Sequence, residues 1–228
     1  FKLYDATPLH KENFIKLIEQ GYFDDLLFHR VIDGFMIQGG DPNSRNAEPG
    51  KMLGDGGLEY TIPAEFVDTI FHKKGVIAAA RKGDDVNPEM RSAGSQFYIV
   101  QGIVFTDEDV KKVEDRINAS RLNKLITKNI EDAKNEAYNT GGTIDYQIIL
   151  PEARKKAEEQ FKAEGYYKIP KNKLKVYQTI GGTPHLDNAY TVFGEIIDGL
   201  EVIDKIAAVN TDKNDTPILD IKMRIEKL

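Results

Sequence analysis

The chain of 228 residues contains no cysteine and no tryptophan. Without cysteine there can be no disulfide framework, no thiolate nucleophile and no cysteine-ligated metal, and a cysteine-free chain suits reducing or oxidising compartments equally. No apolar run approaches the length of a membrane span, and the start does not read as a signal peptide. Excess basic charge is missing too: 31 basic residues against 37 acidic ones give −6, which argues against a nucleic-acid or anionic-membrane partner. The usual hydrolase and phosphate signals are also lacking. Ala93-Gly94-Ser95-Gln96-Phe97 has no second glycine for a nucleophile elbow. The histidines at 10, 29, 72 and 185 have no i,i+4 spacing for zinc. Gly39-Gly40-Asp41 and Gly54-Asp55-Gly56-Gly57 precede no Gly-Lys-Ser/Thr, so they read as turns rather than a phosphate cradle.

What is present can build a core. Eleven Phe and ten Tyr, with many Val, Ile and Leu, offset the entropy of ordering. Two compositions share the chain. Residues 107–177 hold 13 acidic and 15 basic residues and only three of the 19 glycines, which predicts helices with solvated faces. The flanks, 1–106 and 178–228, are glycine-punctuated with short apolar runs, which predicts strands and tight turns. A discontinuous domain interrupted by a helical insertion follows.

In the flanks, Thr7-Pro8 to Gly21 reads as a helix, with Thr7 as N-cap and Gly21 at the C-terminal cap. Phe28 to Ile37 reads as a strand broken by the turn Asp33-Gly34. Gly75–Ala80, Gln96–Gln101 and Tyr190–Ile197 read as further strands, and Asp198–Val209 as a second helix. This pattern predicts a mainly β fold, a closed or nearly closed barrel capped by two helices. In the insertion, Thr106 and Asp109 suit a capping box, a second apolar stripe follows Ser120, and Pro151 is expected to open a third helix closing near Gly165. Phe1 to Asp5 alternates like a strand already under way, so an upstream segment is expected.

One segment concentrates unusual chemistry: Phe28-His29-Arg30-Val31-Ile32-Asp33-Gly34-Phe35-Met36-Ile37-Gln38-Gly39-Gly40-Asp41-Pro42. Alternation puts Phe28, Arg30 and Ile32 on one face and His29 and Val31 on the other. An arginine among apolar neighbours needs hydrogen-bond partners. Spacing alone leaves open a satisfied structural arginine or a working group.

That stretch, with Gly94-Ser95-Gln96-Phe97-Tyr98-Ile99-Val100 and Val192-Phe193-Gly194-Glu195-Ile196, closely resembles the cyclophilin family of peptidyl-prolyl cis-trans isomerases. The likeness covers nearly all of 1–101 and 181–228, and its three motifs occur in the family's order. It implies an eight-stranded antiparallel barrel closed by two helices, with this chain starting at the family's second strand. It implies Arg30 and Gln38 as catalytic residues. It implies Phe35, Met36, Ala80, Arg81, Gln96, Tyr98, His185, Leu186 and Tyr190 as the substrate-binding surface, with Leu186 completing a proline pocket and Ala80–Arg81 pairing with substrate backbone. Tyr98 stands where phenylalanine is commoner, His185 where many members have tryptophan or phenylalanine, Tyr190 where many have histidine, and Arg81 where asparagine is frequent. The absent indole implies weak binding of cyclosporin.

The activity implied is rotation about Xaa-Pro bonds in proline-containing peptides and unfolded protein clients, assisting folding, with no metal or cofactor. A peptide-binding or chaperone-like module in which catalysis is incidental is the alternative, motivated by the insertion, which could equally recruit a partner or dimerise. Members with a comparable insertion are bacterial and some are exported, so the periplasm or envelope is preferred over the cytoplasm.

Overall fold

In this computed structural model, which describes residues 1–48 and 50–227, the chain divides into two compact units. One is Phe1–Phe105 together with the chain from Asn172 onward; the other is Thr106–Lys171. Pro49 and Leu228, the last residue of the expected barrel segment, lie outside the described residues.

Among the described residues eight strands lie in the first unit: β1 (Lys2–Leu3), β2 (Arg30–Ile32), β3 (Met36–Gly39), β4 (Thr61–Ile62), β5 (Val76–Ala79), β6 (Ser92–Ala93), β7 (Phe97–Val100) and β8 (Val192–Glu195). Six form one sheet in the order β1-β8-β5-β7-β3-β2, every pair antiparallel, and β4 pairs with β6. Period-two alternation gives the main sheet two apolar faces. Val31, Ile37, Ile77, Phe97 and Ile99 turn inward onto Phe14, Leu17, Phe23 and Ile203. Met36, Ala78, Tyr98, Val100 and Val192 turn outward and pack with Leu186. Burying each large inward side chain contributes roughly 1.5–3 kcal/mol. The outward face is the one that carries a cleft.

Local chemistry explains the elements around it. The β2–β3 hairpin turns at Asp33-Gly34, where Gly34 has φ 73°, a left-handed value that glycine adopts without a Cβ clash. The described residues form five α-helices: α1 (Pro8–Glu19), α2 (Asp107–Thr140), α3 (Tyr146–Glu164), α4 (Lys171–Tyr177) and α5 (Leu200–Ala207). Helix α1 ends as expected, with Gly21 at φ 62° and Tyr22 N–H donating to the Leu17 carbonyl. Its start differs. The Thr7 hydroxyl points back to the Tyr4 carbonyl, and the first-turn N–H groups of Leu9 and His10 donate instead to Glu65.

In the second unit the Thr106–Asp109 capping box is present. Two expectations are corrected. No break occurs after Ser120, because the stretch contains no glycine or proline, and α2 runs unbroken until Gly141 takes a left-handed φ of 68°. Pro151 does not open α3 but lies inside it; Asp145, whose side chain accepts from Gln147 N–H, provides the start. Helix α4 stands in the first unit apart from Lys171. Among the described residues helices hold more residues than strands, most of them in the second unit, so the expected mainly β fold is a six-stranded sheet joined by helices. Among the described residues no helix is long and apolar enough to cross a membrane.

Candidate active site

Register builds the site. Arg30 on β2 stands opposite Gln38 on β3, Gln38 opposite Tyr98 on β7, and Tyr98 opposite Ala78 on β5. Directly paired residues share a face, so Arg30, Gln38 and Tyr98 form a row on the outward side. A cleft of about 360 Å³ opens over that row, lined by Arg30, Phe35, Met36, Gln38, Ala80, Arg81, Tyr98, Leu186 and Tyr190. Nine of the eleven residues implied by the sequence therefore converge on one cavity.

The other two stand behind it. Gln96 accepts from the Gln38 amide at 2.9 Å and donates to the carbonyls of Gly54 and Gly56. Gln96 thereby orients Gln38 and ties it to the loop. His185 stacks on Phe35, ring centroids 5.6 Å apart and 26° between planes, and backs that wall.

Arg30 is 43% exposed at the cleft mouth, its Nε 3.4 Å from Asp215 Oδ2. The floor is dry: Met36, Tyr98 and Leu186 are 2%, 4% and 9% exposed. Tyr98 meets Tyr190 edge-on with centroids 5.9 Å apart. Arg81 lies 4.6 Å over the Tyr190 ring, and its Nε donates to the Ala189 carbonyl at 2.6 Å. An ion pair with Asp84 completes its engagement, so Arg81 braces the wall rather than presenting a loose charge. Ala80 N–H donates to Gln96 and its carbonyl accepts from Ala93 N–H. Burial pushes the Tyr98 phenol well above its ordinary range and pulls His29 below that of a free imidazole.

Sequence reasoning missed two loops. Met52, Leu53, Gly54 and Asp55 form one rim. Asp41, fully buried, holds this loop by accepting from Asn43, Gly54 and Gly56 N–H groups. The glycine run of 54–57 was the available signal, though it reads only as turns. Asn214 and Thr216 form the opposite rim, with Asp215 between them. Nothing local marked that turn. It reaches Arg30 through the backbone bond from Val31 N–H to the Asp215 carbonyl.

An apolar cup beside a partly exposed cation and a side-chain amide suits a ligand that places a small apolar group next to an uncharged polar one. The family described as cyclophilin type peptidyl-prolyl cis-trans isomerase/CLD matches residues 1–112 and 169–227. A Staphylococcus haemolyticus protein, provisionally named a peptidyl-prolyl cis-trans isomerase, is 30% identical over 222 residues, covering 97% of this chain and 81% of that protein. That match runs through the second unit as well. A Streptococcus pyogenes protein named as a bifunctional phosphatase/peptidyl-prolyl cis-trans isomerase is 29% identical over 219 residues, 95% of this chain but only 33% of that protein. The chain thus spans about a third of that longer relative. The crystal structure of a Cryptosporidium parvum cyclophilin type peptidyl-prolyl cis-trans isomerase shares the fold at a TM-score of 0.55 and 20% identity, covering 97% of this chain and 85% of that one.

Proposed function

The chain belongs to the cyclophilin-type peptidyl-prolyl cis-trans isomerase family, and from that premise we propose that the cleft around Arg30 is where it rotates Xaa-Pro peptide bonds. The observation carrying this reading is a guanidinium at the mouth of an apolar cup made by Phe35, Met36, Tyr98 and Leu186.

The reaction must overcome amide resonance, about 18–20 kcal/mol. In the planar amide the nitrogen lone pair is delocalised and accepts poorly. As the bond twists, the pair localises on nitrogen, and a donor beside it gains an interaction absent from the ground state. Arg30, a planar guanidinium rich in N–H groups, supplies that donor. A charged hydrogen bond is worth about 1.5–3 kcal/mol, roughly 10- to 150-fold in rate. The remaining acceleration falls to the cup, which clamps the proline ring, and to Gln38, steadied by Gln96, which holds the other side of the bond. With Ala80 already paired on both backbone groups, substrate pairing at that edge falls to Arg81. No proton is transferred and no covalent intermediate forms.

The six- and two-stranded sheets with α1 and α5 are read as the walls and caps of the family's barrel. His185 backs Phe35 without offering an indole, so cyclosporin binds weakly. Unfolded clients engage the second unit, a reading favoured by exposed Tyr138, Tyr146, Ile148 and Leu150 around the α2–α3 turn. The deciding experiment for the site is Arg30→Ala assayed on a prolyl tetrapeptide. Turnover is expected to fall about 10- to 150-fold with circular dichroism unchanged; equal turnover would remove Arg30 from the mechanism.

A further inference from the structure

Behind the cleft lies a buried polar chain none of whose members touches the reacting bond. Asp187 follows Leu186 directly. Its Oδ1 accepts from the His72 backbone N–H at 2.9 Å and faces His72 Nδ1 at 3.1 Å. Its Oδ2 accepts from the Tyr177 hydroxyl at 2.8 Å and lies 3.7 Å from Lys173 Nζ. On the far side, His72 Nε2 is 2.9 Å from the Tyr98 hydroxyl. The members are sealed from solvent: His72 is 1%, Tyr177 0% and the Asp187 side chain 5% exposed. With Nδ1–H committed to the carboxylate, Nε2 is the acceptor left for the Tyr98 O–H. The run thus passes from α4 through Asp187 and His72 to the cleft floor.

Resting on the function proposed above, we infer that Tyr177, Asp187 and His72 are positioning residues that set the orientation of Tyr98 and thereby the affinity for the proline ring. A phenol beneath an apolar cup needs a buried partner, or its hydroxyl turns toward the cleft and spoils the wall. His72 is that partner, and the His72 and Tyr98 rings lie nearly parallel, 14° between planes. The proline ring stays clamped while the other side of the bond turns, so the wall grips ground state and twisted state alike. Loss of uniform binding raises KM and leaves kcat. Loss of Arg30, which acts on the twisted state, lowers kcat.

The test is a double-mutant cycle of Tyr177→Phe and Tyr98→Phe, with steady-state kinetics on a prolyl tetrapeptide. Tyr177→Phe keeps its ring against Phe71 and Phe105 and deletes the hydroxyl that donates to Asp187. Alone it is expected to raise KM about fivefold, one hydrogen bond's worth, with kcat unchanged. In the Tyr98→Phe background the same substitution is expected to leave KM within about 1.5-fold, because the route to the cleft is already cut. Unchanged KM in the single variant, effects that multiply, or a fall in kcat instead would each overturn the inference. Should Tyr177→Phe not fold, Asp187→Asn runs through the same cycle with the same two outcomes. Arg30→Ala retaining full turnover defeats the site assignment; a multiplicative cycle with Arg30 still essential defeats only the network.

Discussion

A Cβ on Gly56 would lie 1.9 Å from Asp41 Oδ1 and 2.5 Å from the Asn43 amide. Asn43 is exposed and can give way, but Asp41 is fully buried and accepts from three backbone N–H groups, so it cannot swing aside. The glycine is therefore a steric requirement of the rim, and through the bond from Gln96 to the Gly56 carbonyl it also bears on Gln38. Gly56→Ala is expected to destabilise the fold by about 1–3 kcal/mol, read as a shifted urea midpoint; an unmoved midpoint would show the rim to be softer than argued. Charge at this scale has a consequence as well. His10 and His29 are buried, and burial holds both below the ordinary imidazole pKa of 6.5. The unfolded chain then binds more protons than the folded one below about pH 6.5. Stability is expected to decline as pH falls from 7.5 to 5.5, visible as a lower melting temperature, and a flat profile across that window would contradict it.

Among the elements, α1 and α3 show how ends are decided. Thr7 is the right residue type for an N-cap, yet Glu65, far along the chain, takes the donors of the first turn. A single carboxylate accepting two N–H groups at the positive end of a helix is the stronger arrangement, and only tertiary folding brings it there. Helix α3 begins at Asp145, so exposed Pro151 falls inside it, removes one backbone donor and crowds the Gln147 carbonyl. Interior proline costs about 3 kcal/mol against alanine, partly offset by a stiffer unfolded chain. Pro151→Ala is expected to stabilise α3 by about 2 kcal/mol, measured as a higher melting temperature of the helical signal at 222 nm.

At the scale of the whole molecule, the two units differ in composition and in what they expose. The first holds every residue lining the cleft. The second exposes apolar side chains at the α2–α3 turn, surface that costs free energy in water unless something covers it. Its removal must spare α4, because Lys173 and Tyr177 are wired to Asp187. Deleting 107–170 is expected to keep tetrapeptide turnover within about twofold, since no cleft contact is lost, while weakening capture of an unfolded client. Client capture that survives the deletion would make the helical unit ornamental to folding assistance.

Composition alone was enough to separate the glycine-rich strands from the charged helices, because backbone freedom and side-chain charge act locally. The same holds for the hairpin at Asp33-Gly34, the cap at Gly21 and the capping box at Thr106, each a short-range interaction spelled out in neighbouring residues. The motif around Arg30 supplies Arg30, Phe35, Met36 and Gln38 to the cleft, but their assignment to a site came from the family resemblance, since alternation fixes only the face on which a side chain lies. Three things were not legible: Asp215 beside Arg30, Glu65 beneath α1, and the route from Tyr177 to Tyr98. Each joins residues far apart along the chain through a hydrogen bond or ion pair, and no local preference specifies which distant partner arrives. Packing of the sheet made that choice, by leaving one carboxylate, and not another, within reach of each donor.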